Sequence, residues 1–193
     1  MNTDLQEFLN QLHAEGVDHD SSQVDRAHRY RNLNPETAHF IAMLVQLMHA
    51  QKVVEIGTSN GYSTIWLADA VTTTGGTITT VDIESQHGAA DNVERAGLTE
   101  PVEFVHADAG EYLAGVEDDS VDVLFLDAER TQYAGWWPHP YRVLRAGGLM
   151  LIDNAHHPAP DELTAFVALI ADEPGLDQLV LPLGSGLIMA RKV

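Results

Sequence analysis

One stretch constrains the fold more than any other: Lys52-Val53-Val54-Glu55-Ile56-Gly57-Thr58-Ser59-Asn60-Gly61-Tyr62-Ser63-Thr64-Ile65-Trp66-Leu67-Ala68. Val53 to Ile56 are mostly β-branched and apolar, which suits a strand buried on both faces. Gly57 and Gly61 bracket a tight turn, and Ile65, Leu67 and Ala68 follow at helical spacing. A strand, a glycine turn and a helix start let a small organic cofactor approach bare backbone. The turn lacks the G-x-G-x-x-G order of a dinucleotide fingerprint and the Gly-Lys-Ser/Thr ending of a phosphate loop. Glu55, near the end of the strand, would repel a diphosphate and attract an ammonium or a sulfonium. The turn therefore favours S-adenosylmethionine over NAD or ATP.

The rest of the chain alternates strand and helix patterns, which predicts a mainly parallel sheet covered on both faces. Strands are expected at Thr77 to Val81, Val102 to His106, Val121 to Asp127 and Leu149 to Ile152, with a closing hairpin of Leu179 to Leu183 and Leu187 to Ala190. Leu5, Phe8, Leu9 and Leu12 predict an amphipathic helix over 3–14, and Pro35-Glu36 opens another. Further helices are expected from Ser85 or Gln86 to Ala96, from about Ala109 to Ala114, over most of Gln132 to Leu144 with an interruption at Pro138 and Pro140, and over Asp161 to Ala171. Gly147-Gly148 reads as a turn. The length of 193 residues suits one α/β domain, its first 34 or so residues a helical or flap segment.

The formal net charge is −19, and Lys52 and Lys192 are the only lysines. So acidic a chain is not expected to bind nucleic acid or anionic lipid unaided. The charges are spread along the chain, which favours a role in solubility over attraction of cations. No apolar run approaches the roughly 20 residues of a membrane span. The start of the chain lacks the pattern of a signal peptide, and there is no cysteine, so a cytoplasmic protein without disulfides is expected.

In a sheet of this kind ligands bind beyond the carboxyl ends of the strands. Four strand ends carry Glu55, Asp82, Asp127 and Asp153-Asn154, and Asp108 stands just past another. Each alone reads more readily as a helix or turn cap. Several on one edge divide by chemistry. Glu55, Asp82 and Asp108-Ala109 fit the amino group, ribose and adenine of a nucleoside-like cofactor. Asp127, Asp153 and Asn154 are hard oxygen donors that suit Mg²⁺, Mn²⁺ or Ca²⁺.

On these residues the chain resembles the metal-dependent O-methyltransferases of the catechol and caffeoyl-CoA type, within the class I S-adenosylmethionine-dependent methyltransferases. The matching pieces run in the family's order from about residue 31 to the end. They include Asn34-Pro35-Glu36-Thr37, Val54-Glu55-Ile56-Gly57, Gly61-Tyr62-Ser63, Val81-Asp82-Ile83, Ala107-Asp108-Ala109, Phe125-Leu126-Asp127-Ala128 with Tyr133, Asp153-Asn154 and Gly184-Ser185-Gly186-Leu187. The resemblance implies a Rossmann-like fold, a seven-stranded sheet whose last strand is antiparallel. It implies Glu55 at the cofactor's amino group, Gly57, Thr58 and Ser63 along its methionine part, and Leu33 over that part. It also implies Asp82 at the ribose, Ile83 and Ala109 at the adenine, and Asp127, Asp153 and Asn154 around a metal ion. The acceptor would be a small hydroxylated molecule, and the family is compatible with a homodimer.

One position departs from the family. Arg130 stands where a lysine usually takes the hydroxyl proton, and arginine stays protonated. It is left with electrostatic stabilisation of a phenolate, and His156 and His157 are the nearest alternative bases. This departure keeps open a cofactor-binding protein that has lost turnover. Trp136 and Trp137 could wall a planar substrate or pack a helix. Arg26, Arg29 and Arg31 could hold an anionic tail, although a solvated helix face is the simpler reading.

Overall fold

The computed structural model describes residues 1–25, 28–84, 88–156 and 160–193. Seven strands form one sheet in the order β3-β2-β1-β4-β5-β7-β6. They are β1 (Lys52–Ile56), β2 (Thr77–Asp82), β3 (Val102–His106), β4 (Val121–Leu126), β5 (Leu144–Ile152), β6 (Leu176–Leu181) and β7 (Leu187–Lys192). Neighbours from β3 to β5 pair in parallel, and β7 runs antiparallel to both β5 and β6. The expected antiparallel last strand is present.

Helices cover both faces, which is why β1 and β4 are nearly unbroken apolar runs. Alternate residues serve opposite sides. Val53, Phe125 and Leu151 face a core built with α1 (Thr3–Ser22), α2 (Pro35–Leu47) and α3 (Tyr62–Thr72). Val54, Leu124, Leu126 and Met150 face a second core, which contains Leu113 of α5 (Ala109–Gly115) and Phe166 and Ile170 of α7 (Thr164–Asp172). Between them in chain order come α4 (Ala89–Arg95) and the short α6 (His139–Arg142).

Several boundaries differ from the sequence-based expectation. The first helix does not stop near residue 14 but continues to Ser22; the Asn2 side chain caps its start, accepting from the Leu5 amide at 2.8 Å. The interruption expected at Pro138 is present, since proline cannot donate to a helical ladder, but the segment before it is a 3-10 turn (Arg130–Trp136) and α6 after it is only four residues long. Gly147 and Gly148 lie inside β5, beside a register shift against β4. A Cβ on Gly148 would meet backbone carbonyl oxygens of Arg145 and Val121 at 2.9 and 3.0 Å, so glycine here admits a close strand approach. The expected helix start at Ser85 or Gln86 lies outside the described residues. The first hairpin strand is shifted towards the N-terminus, running from Leu176 to Leu181, and the second begins at Leu187 as expected but continues two residues further, to Lys192. No helix among the described residues is long and apolar enough to cross a membrane.

Candidate functional site

Register places the candidate residues in one row. Ile56 pairs with Val81 and Leu126, and Leu126 pairs with Ile152. The next residues are therefore Gly57, Asp82, Asp127 and Asp153. Their backbones continue the ladder one step past the strands: Gly57 N–H donates to Val81 O at 2.8 Å, Asp127 N–H to Ile56 O at 2.9 Å and Asp153 N–H to Leu126 O at 3.2 Å. Above this row lies a cavity of about 880 Å³, within the range for small-molecule sites.

At one end Gly57 turns the chain with φ +107°, an angle that disfavours any side chain. Asp82 locks the turn. Its Oδ2 accepts from the Thr58 and Ser59 amides at 2.9 and 3.0 Å, and its Oδ1 accepts from the Glu84 amide at 2.9 Å. Asp108 caps α5, accepting from Glu111 N–H at 3.0 Å. The capping role is thus real for both, and both still border the cavity. Ser63, Ala109 and Leu33 also border it, as does Ile83, which is 58% exposed and offers an apolar patch to a flat ring.

Glu55 is not among the lining residues. It lies beneath the floor, fully buried, in register with Thr80. Its Oε2 accepts from Thr64 Oγ1 at 2.5 Å and Thr80 Oγ1 at 2.7 Å, whereas Oε1 is buried without a partner among the described residues. Burial pushes the Glu55 carboxyl up to about 7; hydroxyls of Ser63, Thr64 and Thr80 oppose the rise and the Asp127 charge adds to it.

At the other end Asp127 and Asp153 are neighbours in the row. Asn154, with φ 65°, places its Nδ2 3.2 Å from Asp127 Oδ1. Burial pushes both carboxyls up. The Asp127 charge raises Asp153 further, while Arg31, Arg130 and Asn154 act against the rise at Asp127. Asp153 Oδ1 is buried and has no partner among the described residues. Two like charges this close call for a cation or a proton.

Arg130 borders the cavity but is 4% exposed and already paired: its Nε and Nη2 donate to Glu162 Oε2 at 2.9 and 2.5 Å. His156 is not among the lining residues; it is exposed and covers Gly186, where an added Cβ would lie 2.8 Å from its ring. His157 and Arg26 lie outside the described residues. The two tryptophans divide: Trp136 borders the cavity, and Trp137 packs edge-on against Phe166 with centroids 6.1 Å apart. Tyr133 is structural. Its hydroxyl accepts from the Ala128 amide at 2.7 Å, fixing the turn after Asp127.

Sequence reasoning missed the contribution of α1. His13 borders the cavity beside Tyr62, and Asp20 clamps the segment that passes the opening. The partners of Asp20 lie ten and eleven residues away in an irregular segment, so no periodic signal marks them. Ser185 also borders the cavity, and the Gly-Ser-Gly triplet around it was the available cue.

A profile of the O-methyltransferase family matches residues 2–193. The chain belongs to the O-methyltransferase family. Among similar proteins is a catechol O-methyltransferase of Niastella koreensis, 33% identical over 128 residues, 64% of this chain and 58% of that protein. A catechol O-methyltransferase of Mycobacterium tuberculosis is 29% identical over 150 residues, 72% of this chain and 68% of that protein. Among solved structures, an O-methyltransferase from Bacillus cereus in complex with SAH is 27% identical, with a TM-score of 0.78 over 100% of this chain and 92% of that one. This O-methyltransferase is an S-adenosylmethionine-dependent enzyme, and the glycine turn lines its cavity.

The raised carboxyls give the O-methyltransferase a pH signature. A carboxyl whose folded pKa lies above its unfolded value leaves the native state holding more protons, so stability falls as pH rises through that window. For Glu55 the window runs from 4.5 to about 7, and Asp127 and Asp153 act in the same sense. The ligand-free protein is therefore expected to melt at progressively lower temperature between about pH 5 and pH 8. Scanning calorimetry in EDTA checks this; a flat or rising profile would contradict it.

Proposed function

We propose that the enzyme methylates a hydroxyl of a small hydroxylated aromatic acceptor, with a divalent cation held by Asp127, Asp153 and Asn154. One observation carries the metal part: a fully buried carboxylate oxygen of Asp153 without a partner among the described residues, next to the half-buried Asp127 carboxylate. The donor set is oxygen only, which fits Mg²⁺ first, with Mn²⁺ or Ca²⁺ as alternatives. A half-turn of the Asn154 carboxamide would replace its N–H with its oxygen at the same place. When bound, such a cation lowers the pKa of an acceptor hydroxyl and orients two neighbouring oxygens.

The chain's own residues supply positioning. Gly57, Thr58 and Ser63 would hold the methionine part of the donor, with Leu33 above it. Asp82 would accept from the ribose hydroxyls, and Ile83, Asp108 and Ala109 would frame the adenine. Glu55 would compensate the donor's ammonium from below, through Ser63. Transfer is an in-line displacement: the acceptor oxygen bonds to the methyl carbon as the carbon–sulfur bond breaks, and the sulfonium becomes a neutral thioether. Arg130, tied to Glu162, keeps positive charge near the site but takes no proton. The absence of a base at this position is the ground for the second reading, transfer without a metal to an acceptor other than a catechol.

Methylation of a panel of catechols with and without EDTA tests both. Chelation is expected to lower turnover by about a hundredfold or more, with recovery on adding Mg²⁺. Undiminished activity in EDTA would remove the metal, and tight cofactor binding with no methylated product would favour the second reading. No three-carboxylate or histidine cluster competes for the ion among the described residues.

A further inference from the structure

Arg31 stands out among the cationic side chains. The other described lysines and arginines each have a hydrogen-bonded or ion-paired partner. The Arg31 guanidinium has none among the described residues, yet it borders the cavity. The backbone beside it is tied to Ser59 of the glycine turn, and its charge acts on Asp127 across the cavity.

Its position is built. Asp20 on α1 uses both carboxylate oxygens on this segment: Oδ1 accepts from the Tyr30 amide at 2.7 Å and Oδ2 from the Arg31 amide at 2.8 Å. Ser59 of the glycine turn donates to Tyr30 O at 2.9 Å, and the Tyr30 ring stacks on His19 with centroids 3.9 Å apart. Held this way, Arg31 adopts φ 52°, a left-handed conformation that a non-glycine residue rarely takes unless its surroundings impose it. Asp20 directs both oxygens to backbone amides and forms no ion pair with the guanidinium among the described residues.

In a chain of net charge −19, an anionic acceptor is repelled almost everywhere. A fixed cation on the cavity wall would reverse that locally, and a planar guanidinium matches a carboxylate in two parallel hydrogen bonds. We propose that Arg31 makes this enzyme selective for hydroxylated aromatic acceptors that carry a carboxylate. The inference rests on the acceptor site proposed above and adds the charge of its substrate.

The test compares 3,4-dihydroxybenzoate with its neutral methyl ester in wild type, Arg31→Gln and Arg31→Lys, reading kcat/KM for each. Calorimetric titration of both compounds in the presence of S-adenosylhomocysteine and Mg²⁺ reads binding independently of turnover. The wild type is expected to prefer the acid by about tenfold or more, Arg31→Gln to lose the preference, and Arg31→Lys to keep part of it. An acid-to-ester ratio unchanged in Arg31→Gln, or a wild type that prefers the ester, overturns the proposal. So does a matching loss of S-adenosylhomocysteine affinity in Arg31→Gln, which would assign the arginine to the cofactor's own carboxylate. Arg31-dependent binding of the acid without turnover would support the proposal and defeat the assigned reaction. Metal-dependent turnover with no Arg31-dependent preference would do the reverse.

Discussion

Replacing Asp153 with asparagine is expected to cut turnover by about a thousandfold while making the protein more stable in the absence of divalent cations. The two effects have one cause. Asp153 is 6% exposed, its Oδ1 has no partner among the described residues, and both burial and the Asp127 charge push its carboxyl above the usual carboxylate range. Ionising it in the cation-free protein therefore costs free energy that the unfolded chain does not incur. Asparagine keeps the shape and removes the charge, so a gain of about 1–2 kcal/mol near neutral pH is expected. The same change removes an anionic oxygen from the proposed cation site. Urea unfolding in EDTA and single-substrate kinetics in Mg²⁺ measure both quantities. A variant that is less stable than its parent, or that keeps more than about a tenth of the turnover, would show that Asp153 is an ordinary buried carboxyl.

Gly57→Ala is expected to be the most damaging single change in the cofactor half. A Cβ there would lie 2.2 Å from the Asp127 carbonyl oxygen, a backbone atom that moves only if the end of β4 moves. The φ of +107° adds conformational strain for any side chain. We expect a loss of about 3 kcal/mol or more of stability. Cofactor affinity should fall by about a hundredfold, because the Thr58 and Ser59 amides would leave Asp82. Gly75 is the matched control: it also has positive φ, at +74°, but nothing lies within 4 Å of an added Cβ. Gly75→Ala is expected to cost only about 1–2 kcal/mol, with cofactor affinity retained. Equal effects of the two substitutions would mean that dihedral strain alone, not the approach to Asp127, makes Gly57 necessary.

Much of the architecture was legible because parallel strands buried on both faces leave short apolar blocks, and glycine and proline punctuate them. Val53–Ile56 and Val121–Leu126 fall where the pattern puts them. Errors gathered where two signals conflict. Gly147-Gly148 has turn composition, yet the pair sits in β5, because close packing against β4 also requires residues without side chains. Residues 132–144 have helical composition, and the expected break at Pro138 and Pro140 leaves less helix than that composition suggests, a 3-10 turn and four α-helical residues. In the site, Asp127, Asp153 and Asn154 could be named from strand ends alone, since register in a parallel sheet sets the ends side by side. The surroundings of Arg130 and Glu55 could not. The Arg130 partner is 32 residues away, and the orphaned oxygen of Glu55 follows from the geometry of Thr64 and Thr80.

The sequence by itself determined the sheet, the glycine turn and the acidic rim, because each follows from local periodicity or from the chemistry of a residue at a strand end. Tertiary structure alone decided which of those groups are neutralised and which are left unpaired. Among the described residues Arg130 is paired and Arg31 is not. Asp20 holds a backbone segment, and one oxygen each of Glu55 and Asp153 is buried without a donor among the same residues. These outcomes depend on distances between segments far apart in the chain, and on a surface charge that is screened in water but felt strongly where the protein excludes it.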